Sequence, residues 1–261
     1  MWSILKSVYF GDRRVSSKIE RIPTGIELLD KYLQGGIPKH SWVFIAGEPG
    51  TGKSILCLHI ANTALSKNIC PVVYVTTEQN FQSLVKQAEQ FNMHFNGFKD
   101  EGALHIVDIF ELRSHAYEKK SRAKYPDPLD VSNLVDYLWS LVREEQIREP
   151  LIIIDSLSAF WVDKPAMARR ITYNMKVRLA KMQPTVIATL QYAVTTGGSF
   201  GFGAEHIADG IIQLNFDNIE KTKQIKRWGI IKKMRLTNHY KRAWSFDIKP
   251  KQGFVILNES N

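Results

Sequence analysis

Trp42-Val43-Phe44-Ile45-Ala46-Gly47-Glu48-Pro49-Gly50-Thr51-Gly52-Lys53-Ser54 is an apolar strand running into a glycine-rich turn that ends on a lysine and a hydroxyl. The eight residues Gly47, Glu48, Pro49, Gly50, Thr51, Gly52, Lys53 and Ser54 fit the phosphate-loop pattern G-x-x-x-x-G-K-[ST] in full. A helical pattern follows through Ala64. The glycines let the backbone curl so that successive N–H groups face one anionic centre, and the next helix adds the positive end of its dipole. In such a loop Lys53 reaches the β- and γ-phosphates of a nucleotide, while the Ser54 hydroxyl ligates a bridging Mg2+. The stretch predicts ATP and Mg2+ as ligands.

Outward from the loop, apolar runs of strand length lie at Trp42 to Ala46, Val72 to Thr76, Leu104 to Ile109, Leu151 to Ile154 and Thr185 to Leu190. They alternate with segments of helical period, one of which places Val131, Leu134, Val135, Leu138, Leu141 and Val142 on a single face. The alternation predicts an α/β fold with a mostly parallel central sheet flanked by helices. From about Asp209 the strands become Ile/Leu-rich and carry Lys and Arg, which predicts a C-terminal antiparallel extension. Arg113 to Pro128 and Thr195 to Gly203, the latter with four glycines, are expected to be loops. With no internal repeat, residues 1–261 are expected to form one domain, about 1–20 being an N-terminal extension.

Three polar residues follow the strands at their carboxyl ends, where open α/β sheets bind ligands. Asp155 is a candidate Mg2+ ligand, although an acidic residue followed by Ser156 equally suits a helix cap. Glu78 is a candidate base for an attacking water, or else an acidic residue at a helix N-terminus. Gln191 is a candidate sensor of the γ-phosphate, a role its residue type shares with plain strand-end loops.

The net charge of +9 and the isoelectric point near 9.4 make an anionic partner worth weighing against a merely solvated lysine surface. The two cysteines, Cys57 and Cys70, have no zinc-type spacing. The apolar stretch at Trp2, Ile4, Leu5 and Val8 is too short to span a bilayer, so a cytoplasmic protein without a membrane partner is expected.

The order of phosphate loop, Glu78, Asp155, Gln191 and a glycine-rich loop resembles the RecA/RadA recombinase superfamily. Ile22-Pro23-Thr24-Gly25-Ile26-Glu27-Leu28-Leu29-Asp30 with Leu33-Gln34-Gly35-Gly36-Ile37-Pro38 is similar to the start of KaiC-type domains, and so are Glu205 to Ile212 and Lys233-Met234-Arg235-Leu236-Thr237-Asn238-His239. Length and charge most resemble the archaeal RadA paralogues. The resemblance implies a RecA-like ATPase core, with ATP hydrolysed between neighbouring subunits of a homo-oligomer or of a hetero-assembly with a RadA-type recombinase. Lys233 and Arg235 of one subunit would then reach the γ-phosphate held by the next, against the alternative of a solvated basic strand face. It also implies an accessory role in recombination and repair.

The resemblance further places Thr195 to Gly203 at a DNA-facing loop, where Phe200 and Phe202 would stack on bases. Lys223, Lys226 and Arg227 lie in a basic stretch interleaved with Trp228, Tyr240 and Trp244, a mixture suited to single-stranded DNA, although Trp228 and Trp244 suit packing as well. The rival expectation is a regulatory ATPase whose nucleotide state switches a protein partner. Glu78 is followed by Gln79 where KaiC domains carry a second glutamate, leaving one carboxylate as the candidate base. Neither the helix-hairpin-helix domain nor a convincing Phe-x-x-Ala segment of RadA is recognised before the core, so a filament is not expected.

Overall fold

The computed structural model describes residues 18–118, 129–191, 203–217 and 224–257. A short pairing of β1 (Arg21–Ile22) with β2 (Ile37–Pro38) encloses α1 (Glu27–Tyr32) and leads into β3 (Trp42–Gly47). Crossover units follow: α2 (Lys53–Ser66), β4 (Val72–Thr76), α3 (Phe81–Glu89), α4 (Phe95–Asp100), β5 (Leu104–Asp108), α5 (Ile109–Glu118), α6 (Val131–Glu144) and β6 (Leu151–Asp155). The chain continues through α7 (Ala168–Leu179), β7 (Thr185–Gln191), β8 (Gly210–Phe216), β9 (Arg227–Met234), β10 (Trp244–Lys249) and β11 (Gly253–Ile256).

These strands make a nine-stranded sheet of order β11-β10-β9-β8-β3-β7-β6-β4-β5. The six strands from β8 to β5 are parallel, and β9, β10 and β11 add on antiparallel. Every residue of β3, β4 and β6 is buried, as expected of parallel strands covered on both faces. On one face Leu56, Ile60 and Ala64 of α2 pack with Ile45, Tyr74 and Ile153. On the other, Leu134, Val135 and Leu138 of α6 and Met175 and Leu179 of α7 pack with Phe44, Val75 and Ile154. Each such side chain contributes about 1.5–3 kcal/mol on burial, against about 1 kcal/mol for a helix cap, so the sandwich rather than the turns fixes the strand positions.

Two expectations change. The antiparallel extension starts one strand later than Asp209, because β8 pairs parallel with β3, from Val43 opposite Gly210 to Gly47 opposite Leu214. The alternating burial of β8 suits an antiparallel strand equally well, and only the return of the chain alongside β3 sets its direction. Arg113, expected in a loop, is helical: α5 runs to Glu118, its start fixed by Asp108 Oδ1, which accepts from the Glu111 N–H at 2.8 Å. The rest of that expected loop, 119–128, and the N-terminal Trp2, Ile4, Leu5 and Val8 lie outside the described residues. Among the described residues no helix is long and apolar enough to cross a membrane.

Candidate nucleotide-binding site

The loop from Gly47 to Ser54 leaves the carboxyl end of β3 and opens α2 directly at Lys53. Gly50 (φ +82°) and Gly52 (φ +98°) adopt the left-handed backbone that a side chain would strain. Gly47 is required for a different reason: a Cβ there would lie 2.3 Å from the Leu214 carbonyl oxygen of β8. Thr51 ties the curl together, its hydroxyl donating to the Glu48 carbonyl at 2.8 Å.

Lys53 is only 9% exposed, and its Nζ donates to the carbonyls of Gly47 and Glu48, each at 2.9 Å. Burial pulls its pKa down, and the charges of Asp155 and Glu78 work against that shift. A buried ammonium held by two carbonyls of its own loop suits exchange onto phosphate oxygens, which would replace neutral acceptors by charged ones. Ser54, partly exposed, follows it on the first turn of α2. The glycine cradle, the cation and the hydroxyl all fit a nucleotide with a divalent cation.

Asp155 ends β6 and is 7% exposed. It accepts from Thr189 Oγ1 at 2.7 Å and from the Tyr74 hydroxyl at 3.2 Å, so β7 and β4 fix it from either side. The residue that opens the turn at Leu157–Trp161 is Ser156, which makes no side-chain capping bond, and the Asp155 carboxylate oxygens face strand partners instead. Burial, reinforced by the Asp155 charge, pushes the Tyr74 hydroxyl well above its usual pKa and keeps it a donor.

Glu78 and Gln191, expected separately from two strands, meet: Gln191 Nε2 donates to Glu78 Oε1 at 2.5 Å. The Ser158 hydroxyl accepts from the Gln191 backbone N–H at 3.1 Å and steadies the end of β7. Glu78 is not the cap of α3; Asn80 is, accepting from the Ser83 N–H at 2.9 Å. The Glu78 residue is largely open to solvent, but its carboxyl is close enough to the site for burial, and then the Asp155 charge, to raise its pKa. Lys53 and a hydrogen bond with Ser156 moderate the rise. Gln79 turns away, its Nε2 donating to Gln87 Oε1 at 3.3 Å. Tyr74, Thr189 and Ser158 were not foreseen. Tyr74 alone carried a signal, a phenol within an otherwise aliphatic buried strand.

A profile of the family described as "ATPase: KaiC" matches residues 22–261. The chain belongs to this KaiC ATPase family. A UPF0273 protein of Thermotoga maritima is 37% identical over 238 residues, 91% of this chain and 96% of that protein. A UPF0273 protein of Methanopyrus kandleri is 36% identical, over 88% of this chain and 89% of its own length. Among solved structures, a KaiC-like protein of Pyrococcus horikoshii superposes with a TM-score of 0.75 at 25% identity, covering 92% of this chain and 100% of the other. The RecA-like core expected from the sequence is the architecture of this group.

The signature at the start of the KaiC domain has a structural role here. Asp30 Oδ1 accepts from the Thr24 N–H at 2.6 Å and from its hydroxyl at 2.7 Å, folding the turn into α1. Gly25 (φ +82°) presses on α2, where a Cβ would lie 2.1 Å from Thr63 Oγ1. The other KaiC-like stretches, 205–212 and 233–239, lie at the amino end of the parallel strands. Because β9 is antiparallel to β8, Met234 faces Gly210 at the amino end of β3, whereas the phosphate loop leaves its carboxyl end. Lys233 and Arg235 are thus about 15 Å along the strands from their own loop. Arg235 NH1 donates to Asp209 Oδ1 at 2.8 Å, and Lys233 Nζ donates to the Ala208 carbonyl. Burial works against the Asp209 charge, but Lys176, the Trp42 N–H and Arg235 together hold its carboxyl below the usual range.

Of the residues expected to face DNA, Phe200, Phe202 and Lys223 lie outside the described residues, as does the stretch 195–202. Lys226 is exposed. Arg227 is engaged within the chain: its guanidinium carbon lies 5.5 Å from the Phe216 ring centre and NH1 is 3.3 Å from Asp247 Oδ1. Such a paired, half-buried cation does not present itself as a free phosphate contact. Trp244 is buried at 3% exposure and Tyr240 stacks on Tyr32 at 4.3 Å, so both are packing residues; Trp228 is half-buried.

Proposed function

We propose that this KaiC-family chain hydrolyses ATP between neighbouring copies and uses the cycle on single-stranded DNA, as an accessory factor in recombination and repair. Burial of Lys53 over its own loop carbonyls is the observation that carries the ATP assignment. The loop N–H groups and Lys53 would bind the phosphates, while Ser54 and Asp155 would hold Mg2+. The metal, when bound, neutralises charge on the transferring phosphoryl group.

Glu78 would accept a proton from the attacking water, with Gln191 orienting that carboxylate and registering the γ-phosphate. Lys233 and Arg235, out of reach of their own loop, would serve the site of a neighbouring copy and stabilise charge in the transition state. DNA contact is assigned to the glycine-rich stretch from Thr195 with Phe200 and Phe202, and to Lys223 and Lys226. The net charge of +9 and the resemblance to RadA paralogues support it.

Fluorescence anisotropy with labelled single- and double-stranded oligonucleotides, at two salt concentrations and with or without ATP and Mg2+, tests the DNA role. Binding that favours single strands, weakens steeply with salt and responds to ATP is expected. Absence of binding at low salt would leave a nucleotide-switched partner of acidic protein as the better reading.

A further inference from the structure

We propose that Arg21, from the β1–β2 hairpin, is the positioning residue that aims Lys233 and Arg235 at a neighbouring copy's nucleotide; this rests on the shared-site reading above. Arg21 crosses the surface to the loop that follows β9. Its NH1 donates to Thr237 Oγ1 at 2.8 Å and to the Gly36 carbonyl at 3.2 Å, and its NH2 donates to the Leu236 carbonyl at 2.8 Å. One planar guanidinium thereby fixes the hairpin and two consecutive residues of the loop together.

What it fixes is the turn directly after the two cations, Lys233 within β9 and Arg235 just past its end. Leu236, directly after Arg235, has φ +58° and is 66% exposed. A left-handed leucine is sterically disfavoured and persists where its surroundings over-determine it. Arg21 supplies that restraint at the Leu236 carbonyl itself. The loop is held at two further points: Gln34 Oε1 accepts from the Asn238 N–H at 3.0 Å, and the Tyr240 N–H donates to the Tyr32 carbonyl at 3.0 Å beneath their stacked rings. Both Gln34 and Tyr32 belong to the segment enclosed by the hairpin, which presses on α2 through Gly25 and Thr63. The helix carrying one copy's Lys53 is therefore mechanically continuous with the cations it offers to the next.

Arg21 touches no proposed reacting group, so its removal should lower kcat and leave nucleotide affinity alone. The test uses the full chain, with Arg21→Ala and, in parallel, Arg235→Ala, each co-produced with a differently tagged Lys53→Ala chain and purified through both tags. Arg21→Ala alone should lose about 10²-fold in kcat, the effect of misplacing a catalytic group by about 1 Å. Equilibrium binding of a fluorescent ATP analogue should stay within about twofold, since ground-state contacts are untouched. Co-assembly with Lys53→Ala should restore turnover, because the Lys53→Ala copy presents an intact loop to the working Lys53 of its neighbour.

A wild-type kcat for Arg21→Ala overturns the proposal. So does a loss that co-assembly does not restore while the Arg235→Ala mixture recovers, and that result leaves shared sites standing. If the Arg235→Ala mixture recovers nothing either, or the chains do not co-purify, the shared-site reading falls and takes this assignment with it. Thr237→Val removes the acceptor of Arg21 NH1 together with the longer bond from the Thr237 hydroxyl to the Arg235 carbonyl (3.3 Å), without touching β1, and should show the same selective loss of kcat, to a smaller degree. It keeps the test decisive if Arg21→Ala fails to fold.

Discussion

The two ends of the central sheet use charge in opposite ways. At the carboxyl end, Lys53, Asp155 and Glu78 are gathered onto adjoining strand ends, and the hydrogen bonds of Lys53 and Asp155 run to loop carbonyls, Tyr74 and Thr189. At the amino end, Arg235 stands 61% exposed against Asp209 and its loop is braced from outside by Arg21. The first is a preorganised site, in which low dielectric strengthens the buried charges of Lys53 and Asp155. The second offers cations at a surface, where their worth in isolation is small and depends on what docks there. On the shared-site proposal, the two ends of the sheet would form one site only across two copies.

The largest predicted effect breaks the first half of this comparison. Lys53→Ala should remove detectable ATP turnover, and wild-type turnover in that variant would refute the assignment of the loop. Next comes Glu78. As the base it must be deprotonated, and burial beside Asp155 raises its pKa, so turnover should fall with decreasing pH along a limb set by that raised value. Glu78→Gln should cost roughly 10²–10⁴-fold and flatten the limb. A pH profile unchanged in the variant would assign the limb, and the base, elsewhere. Arg235→Ala tests the other end. With Lys233 still in place its loss should fall short of the about 10³-fold typical of a lone arginine finger, with little change in nucleotide affinity. An unchanged kcat in steady-state assays would detach the amino end from catalysis.

The carboxyl end was largely legible in the sequence because its signals are local. Eight contiguous residues define the loop, and four aliphatic residues ending in a carboxylate define β6. The amino end was not legible as geometry, since its contacts join residues far apart in the chain. Arg21 meets Thr237 across 216 positions, and no periodicity announces such a pair. Asp209, which gathers Lys176, Trp42 and Arg235, marks in the sequence only the onset of the basic strands. Pairing direction was hidden for a related reason: β8 carries the alternation of a half-covered strand, and only its pairing with the distant β3 shows it to be parallel. Even at the carboxyl end, the meeting of Gln191 with Glu78 depended on strand order. Two residues 113 positions apart become partners because β4 and β7 flank β6.

The smallest predicted effect concerns what holds the preorganised end rigid. His59, on α2, lies against β11, where its Nε2 accepts from the Phe254 N–H at 2.9 Å. Gly253 makes the approach possible, since a Cβ there would lie 2.3 Å from that nitrogen. Burial lowers the His59 pKa from 6.5 to about 4, partly offset by a backbone hydrogen bond to Gln252. The neutral ring is the folded form, and the unfolded chain binds its proton first as pH falls. The stability this contributes is complete above pH 6.5 and is lost between about 6.5 and about 4, by up to about 3 kcal/mol. Urea unfolding at pH 7, 5.5 and 4.5 should show this slope, and His59→Gln, which keeps an acceptor for Phe254 but cannot titrate, should lose that part of it. An equal slope in the variant would mean that other groups govern acid stability. The amino-end variants Arg21→Ala and Arg235→Ala should keep the slope, because neither side chain bonds to His59 or to the β11 residues packed on it.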